Sequence, residues 1–319
     1  MQKKATTSIL IGLILFTSNT LYSQTNTNYG TYAGNSGTNN TSIGYYASDV
    51  VTGANNSTLG ANAGKVTTTG YDNVFLGSSS GVSNTTGFRN SFIGFMSGFS
   101  NSSGTYNTYL GYKAGCWNTT SSYNTLIGFE TGLNSTGEKN VFLGSQSGRN
   151  NTGSSSVFIG YQSGYSETGS NKLYIANSNT TTPLVYGEFN NSLFAINGRQ
   201  GIGTVNVPDS IALKVNGTIM AKKVIITLDN FPDYVFEKDY PLMSLPDLKS
   251  FIEKNKHLPG IPSEKEAVAN GIDVAGVNTK LLEKVEELTL YVIQLEEKMA
   301  EMNERLDNIN KGTGEGAKR

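Results

Sequence analysis

The sequence predicts a mainly β chain: a solenoid of stacked short strands, then a short β shaft, then a small α-rich module ending in a coiled coil. Three observations predict it. An apolar-Gly pair returns every 16 or 17 residues from Ile43 to Gly160. Strand signals without that period follow. Beyond Leu281, apolar residues alternate spacings of four and three.

The chain of 319 residues opens with Lys3 and Lys4, an apolar run from Ile9 to Phe16, and polar or small residues up to Ser23. This is the layout of a secretory signal peptide, expected to cover residues 1–23. The run is too short to cross a bilayer. Export is therefore expected, to the outer cell surface or the extracellular space, with the periplasm as the other compartment. Cys116 is the only cysteine, so no intrachain disulfide framework is expected. Nor does it lie where an N-terminal lipid would be attached.

Residues 24–170 form the repeat array. Its structural glycines are Gly44, Gly60, Gly77, Gly94, Gly111, Gly128, Gly144 and Gly160, spaced 16, 17, 17, 17, 17, 16 and 16. Four residues after each comes Gly64, Gly81, Gly98, Gly115, Gly132, Gly148 or Gly164, with Ser48 in the first full copy. Four residues before each stands Asn40, Asn56, Asn73, Asn90, Asn107, Asn124 or Asn140, with Ser156 in the last. Gly30 and Gly34 mark a truncated opening copy. A unit this short cannot bury its apolar side alone, so successive units must stack. Strand alternation puts the Ile or Leu of each pair on one face and the residue before it on the other. The Ile/Leu set is expected to fill the interior. The second set, Ser42, Thr58, Phe75, Phe92, Tyr109, Leu126, Phe142 and Phe158, would then form an outward column in need of cover, which argues for self-association. The asparagines are expected to stack in register and satisfy one another's amides.

Composition excludes several function classes. With 24 Lys and Arg against 25 Asp and Glu, the net charge of −1 provides no basic field for nucleic acid. The array has no histidine and no recurring Asp or Glu. Periodic calcium ligands and a carboxylate pair for sugar chemistry are thus not expected. No cofactor and no metal is expected.

Units such as Asn73-Val-Phe-Leu-Gly-Ser-Ser-Ser-Gly81 and Asn124-Thr-Leu-Ile-Gly-Phe-Glu-Thr-Gly132 resemble the head repeats of trimeric autotransporter adhesins. The resemblance implies a left-handed parallel β-roll assembled as a homotrimer on a bacterial surface. The copies here run longer than the common adhesin unit. No amphipathic strands precede the polar residues 311–319, so a membrane-anchor barrel is not expected.

Residues 171–228 read as a β shaft or linker. Strand signals fall at 172–176, 184–187, 192–196, 212–215 and 224–227, and Asn197-Gly198 and Asn216-Gly217 are turn pairs of the hairpin type. This part resembles the shaft of a phage tail fibre.

Residues 229–275 form the next module. Leu245-Pro246-Asp247 opens a helix through Lys254, with proline in its first turn. Ser263 with Glu266 three residues on makes a capping box. The stretches Asp233-Tyr-Val-Phe-Glu-Lys-Asp-Tyr240, Lys256-His-Leu-Pro-Gly-Ile-Pro-Ser263 and Asn278-Thr-Lys-Leu-Leu282 resemble the C-terminal intramolecular chaperone domain of endosialidase-type tail spikes. The resemblance implies a folding and trimerisation module, in a family that contains a self-cleaving peptidase with a serine nucleophile and a lysine base. Pro232 and Glu237 stand at those two positions here. Proline has no hydroxyl, and a carboxylate cannot replace a tuned lysine. A non-enzymatic module that stays attached is therefore expected. The alternative is an autoproteolytic tail-spike-type precursor that releases its C-terminal domain through a displaced dyad, with Ser244 and Lys249 the nearest candidates.

Residues 276–312 carry the heptads. Val285, Val292, Met299 and Leu306 take a positions, and Leu281, Leu288, Leu295, Met302 and Ile309 take d. Asn278 falls at an a position. Valine at a with leucine at d leans toward a dimer, whereas both resemblances imply a trimer. Leu282, Leu290, Tyr291 and Ile293 widen the apolar face, for a trimer or for packing on upstream helices. A homotrimer is the expectation. A leucine-zipper transcription factor is excluded, because residues 271–279 contain no lysine or arginine. Residues 313–319 are expected to be a disordered tail. His257 is expected to take a surface or packing role rather than act as a ligand or base, and Cys116 to pack as a small hydrophobe. The expected protein is an adhesin-like structural fibre, partnered by copies of itself and by a surface glycan or protein, without nucleic acid or a transmembrane anchor.

Overall fold

The structure, a computed structural model, describes residues 26–34, 37–228 and 231–315. The expected signal peptide lies outside them. A three-residue strand cannot stand alone, and here each strand is completed by its neighbours one coil away. Strands β1 (Thr27–Tyr29), β2 (Thr41–Ile43), β3 (Ser57–Leu59), β4 (Val74–Leu76), β5 (Ser91–Ile93), β6 (Thr108–Leu110), β7 (Thr125–Ile127), β8 (Val141–Leu143), β9 (Val157–Ile159) and β10 (Lys172–Ile175) pair in sequence order, all parallel. The opening copy is a full participant. Gly30 takes the same left-handed φ as the later glycines, and Asn26 Oδ1 accepts from Asn40 N at 2.9 Å.

The faces of the strand are the reverse of the sequence expectation. Phe75, Phe92, Tyr109, Leu126, Phe142 and Phe158 are fully buried and, with Tyr174 on β10, form one stacked core. Their rings run along the axis, with Phe92 and Tyr109 centroids 4.7 Å apart and Phe142 and Phe158 4.8 Å apart. The Ile/Leu set points outward, with Leu59, Leu76, Leu110 and Leu143 39–47% exposed. The reason is steric. The second glycine of each copy holds φ between 55° and 61° and lies flat against a core ring. A Cβ on Gly98 would come within 2.5 Å of the Phe92 ring, and one on Gly115 within 2.5 Å of the Tyr109 ring. The slot made by the missing side chains accepts a flat ring, and the alternation then sends the Ile or Leu out.

The asparagine column is buried and stacks in register as expected. Among the described residues, though, the amide-to-amide bonds expected along it occur only from Asn73 to Asn56 and from Asn107 to Asn90, and its other bonds go to backbone. Asn90 Oδ1 accepts from Asn107 N at 3.0 Å, and Asn90 Nδ2 donates to Gly104 O at 2.8 Å. The same two bonds join Asn40 to Asn56 N and Gly53 O, and Asn140 to Ser156 N and Gly153 O. Each side chain therefore fixes the strand start and a turn of the following coil. The acceptors belong to a third small-residue column that the sequence reading missed: Gly53, Gly70, Gly87, Gly104, Ser121, Gly137 and Gly153.

The sheet continues past residue 170. Strands β11 (Val185–Glu188) and β12 (Leu193–Ile196) join β10 in antiparallel order and finish a twelve-stranded sheet. Strands β13 (Gln200–Ile202) and β14 (Leu213–Val215) form a separate parallel pair. Asn197-Gly198 therefore links two sheets, and Asn216-Gly217 follows β14; neither closes a hairpin. The real hairpin turn lies between β11 and β12, where Ser192 has φ 52°. Residues 224–227 form no strand.

The chain divides into two compact units, residues 1–218 and 219–319. In the second, a 3₁₀ turn at Pro232–Phe236 precedes helices α1 (Leu245–Asn255), α2 (Glu264–Asn270) and α3 (Val274–Glu315). Ser244 caps α1 and Pro246 sits in its first turn. Ser263 and Glu266 make the expected capping box on α2. The helix α3 runs past residue 312, the boundary drawn from the heptads, to Glu315.

Candidate functional site

Because every coil repeats the same backbone, the exposed columns are where chemistry can vary. The structural glycines Gly44 to Gly160 sit at the strand ends with φ between 113° and 140°. A Cβ on Gly94 would meet Gly111 O at 2.3 Å, so these residues hold coils together and carry no ligand groups. In β2 to β9 the middle residue of each strand is buried and residues one and three lie on the other face. Val74 and Leu76, Thr108 and Leu110, and Val141 and Leu143 are exposed in this way, and the Ile or Leu third residues make an aliphatic ladder along these eight strands.

Two aromatic columns sit beside the strands. Phe95, Tyr112 and Phe129 follow the structural glycines, with stacked centroids 5.5 and 5.2 Å apart. Tyr71, Phe88, Tyr106 and Tyr123 precede the asparagines; Tyr71 stacks on Phe88 at 4.7 Å and Tyr106 on Tyr123 at 5.0 Å. Cys116 is buried, and burial pushes its thiol up to about 11. It packs as expected.

The hairpin that ends the sheet carries a cluster of charge. Lys172 Nζ lies 2.6 Å from Glu188 Oε1, and Tyr186 and Asn191 also donate to that carboxylate. The bond from Lys172 leads, with those from Tyr186 and Asn191, in bringing Glu188 down to about 2. In the second unit, Tyr234 Oη donates to Glu283 at 2.6 Å and Tyr240 Oη to Glu287 at 2.5 Å. Burial raises the Glu283 carboxyl, but bonds from Lys280, Tyr234 and Lys284 outweigh it and bring it to about 2. Tyr291 is buried, with its hydroxyl on Met243 O. It faces the segment before α1 rather than the seam.

The heptad positions form the opposite face of α3. Leu281, Val285, Leu288, Val292, Leu295, Met299, Met302 and Leu306 are 48–63% exposed, and Ile309 is exposed with them. Ser244 and Lys249, the candidate dyad, are each engaged elsewhere. The Ser244 hydroxyl donates to Asp247 Oδ2 at 2.5 Å, and Lys249 lies 3.9 Å from Glu253. Pro232 and Glu237 lie in and just after the 3₁₀ turn. His257 Nδ1 is 3.0 Å from Leu258 O, and its ring meets Phe251 edge-on.

No protein-family model, curated protein or solved structure matches the chain. The site is thus read from its own geometry. Among the described residues, no helix is long and apolar enough to cross a membrane, and no group of three or more His, Cys, Asp or Glu is placed to hold a metal ion.

Proposed function

We propose that the chain is a secreted or cell-surface structural fibre protein, adhesin-like and non-enzymatic, that assembles as a homotrimer. Its solenoid would be a left-handed β-roll head of the adhesin kind. Its C-terminal unit would be an endosialidase-type folding and trimerisation module that stays attached. One observation carries the reading: eight heptad residues from Leu281 to Leu306 lie about half exposed or more along a single 42-residue helix. Such a seam is complementary to a copy of itself, because each a or d side chain fits the hole made by the same positions on a partner. The Tyr234–Glu283 and Tyr240–Glu287 bonds occupy another face of α3 and leave the seam free for that use.

The aliphatic ladder on the strands supports the same assembly. It replaces the aromatic column as the face that needs cover. Near-identical coils permit slipped pairings between copies, and a terminal seam of fixed register prevents them. Sedimentation of the exported protein tests this: three chains per particle are expected, and removal of residues 229–319 should give monomers or aggregates. A well-defined trimer without that segment would end the registration role.

A further inference from the structure

The two turn positions before each asparagine carry a ring in four adjacent coils only, at the first position in Tyr71 and Phe88 and at the second in Tyr106 and Tyr123, and Phe88 meets Tyr106 edge-on at 5.4 Å where the row changes position. In the other coils the same two turn positions hold Thr38 and Asn39, Ala54 and Asn55, Glu138 and Lys139, or Ser154 and Ser155. The backbone there is the same, with φ 57° at Asn39, 59° at Asn55, 57° at Tyr106 and 59° at Ser155. Folding therefore does not require rings at these positions. Exposed aromatics confined to one stretch of an otherwise uniform scaffold mark a contact surface.

Beside the rings runs a row of hydroxyls. Thr68, Thr85 and Ser102 spend theirs on the next coil's carbonyls at 2.9–3.1 Å. The following residue in each coil, Thr69, Thr86, Ser103 or Thr120, is exposed, and its hydroxyl has no protein partner. The charge within the patch cancels: Arg89 lies 3.6 Å from Asp72 and donates to Tyr106 Oη at 2.6 Å. A neutral strip thus alternates ring and hydroxyl once per coil, at the interstrand spacing of about 4.8 Å.

We propose that this strip binds a neutral polysaccharide laid along the solenoid axis, close to one sugar per coil. Pyranose faces and C–H groups meet the aromatic row, and sugar hydroxyls pair with the row from Thr69 to Thr120. The period suits a linear polymer of small polar units, because its repeat is close to the spacing of the coils. The balanced charge argues against an anionic chain. A second copy would be served by the aliphatic ladder, which runs along the eight strands β2 to β9, whereas the strip spans four coils. The inference builds on the adhesin-like reading and names its ligand class.

The test uses the full exported chain with cellulose, chitin and dextran as neutral probes and heparin and alginate as anionic ones. Retention by at least one neutral polymer is expected at both low and high salt. Tyr106→Asn with Tyr123→Asn should weaken it at least tenfold, and those asparagines reproduce what the scaffold already holds at Asn39 and Asn55. Lys139→Asn, in the same column outside the strip, should change nothing. Retention by the anionic polymers alone, by none of the five, or equally by the double variant overturns the proposal. Sedimentation run alongside separates the two ideas. A trimer that fails to bind rejects the strip alone, and a monomer that binds rejects the fibre assembly alone.

Discussion

At the scale of single residues, the solenoid is held by groups that have no freedom to be larger or less polar. Gly94 combines φ 130° with a backbone carbonyl 2.3 Å from where a Cβ would be. The conformation alone costs a side chain about 1–3 kcal/mol, and the carbonyl cannot swing aside. Gly94→Ala is expected to lower Tm sharply, as read by thermal circular dichroism. Tyr109 behaves in the opposite sense. Its hydroxyl is buried without a hydrogen-bond partner. The neighbouring Asn124 has its amide on Gly137 O and its oxygen on Asn140 N. A buried orphan hydroxyl costs about 1–3 kcal/mol, and phenylalanine already fills this column at Phe92 and Phe142. Tyr109→Phe should therefore keep or raise Tm; a clear fall would reveal a bond that this packing does not contain.

At the scale of elements, the strand ladder offers a way to separate folding from the proposed association. Leu110 and Leu143 lie on the outward face, so their replacement removes little core. Leu110→Lys with Leu143→Lys is expected to preserve the far-ultraviolet spectrum and to weaken self-association in sedimentation. Loss of the β spectrum itself would place these leucines in the fold rather than the interface. The hairpin β11–β12 has its own signature with pH. Glu188 is held at about 2, against an ordinary 4.5, so its bonds with Lys172, Tyr186 and Asn191 stabilise the folded form above pH 4.5. That contribution is lost as pH falls from 4.5 toward 2. Amide protection factors in residues 172–196, taken against the intrinsic exchange rate at each pH, should fall over this window, and Glu188→Gln should remove the dependence.

At the scale of the whole molecule, the proposed assembly gives the two units different work, stacking coils and joining chains. On that proposal Asn278 and the heptads would set where helices meet, while the repeated coils alone would fit one another at many offsets. Val292→Asp with Leu295→Asp puts charges into the seam and is expected to convert trimers into monomers whose solenoid still melts cooperatively. Trimers that persist in the double variant would assign assembly to the strand ladder.

The period of the repeat was legible without any structure, because a parallel ladder can close only if every coil returns the same marker to the same level. The glycines, the asparagine column and the truncated copy at Gly30 were determined in this way, while the capping box at Ser263 and the helix beneath the heptads followed from their own local patterns. Which strand face is buried was not. Alternation separates the residues into two sets, and here both sets are apolar, so the pattern has no preferred side. A clue was present in the first copies, where Ser48 replaces the second glycine and the facing core positions shrink to Ser42 and Thr58, whose hydroxyl lies 2.8 Å from Ser48 Oγ. Reading it needs the knowledge that the two columns touch across the coil. Only the tertiary structure supplies that contact, because the size of the interior depends on how residues six to ten positions apart close around it.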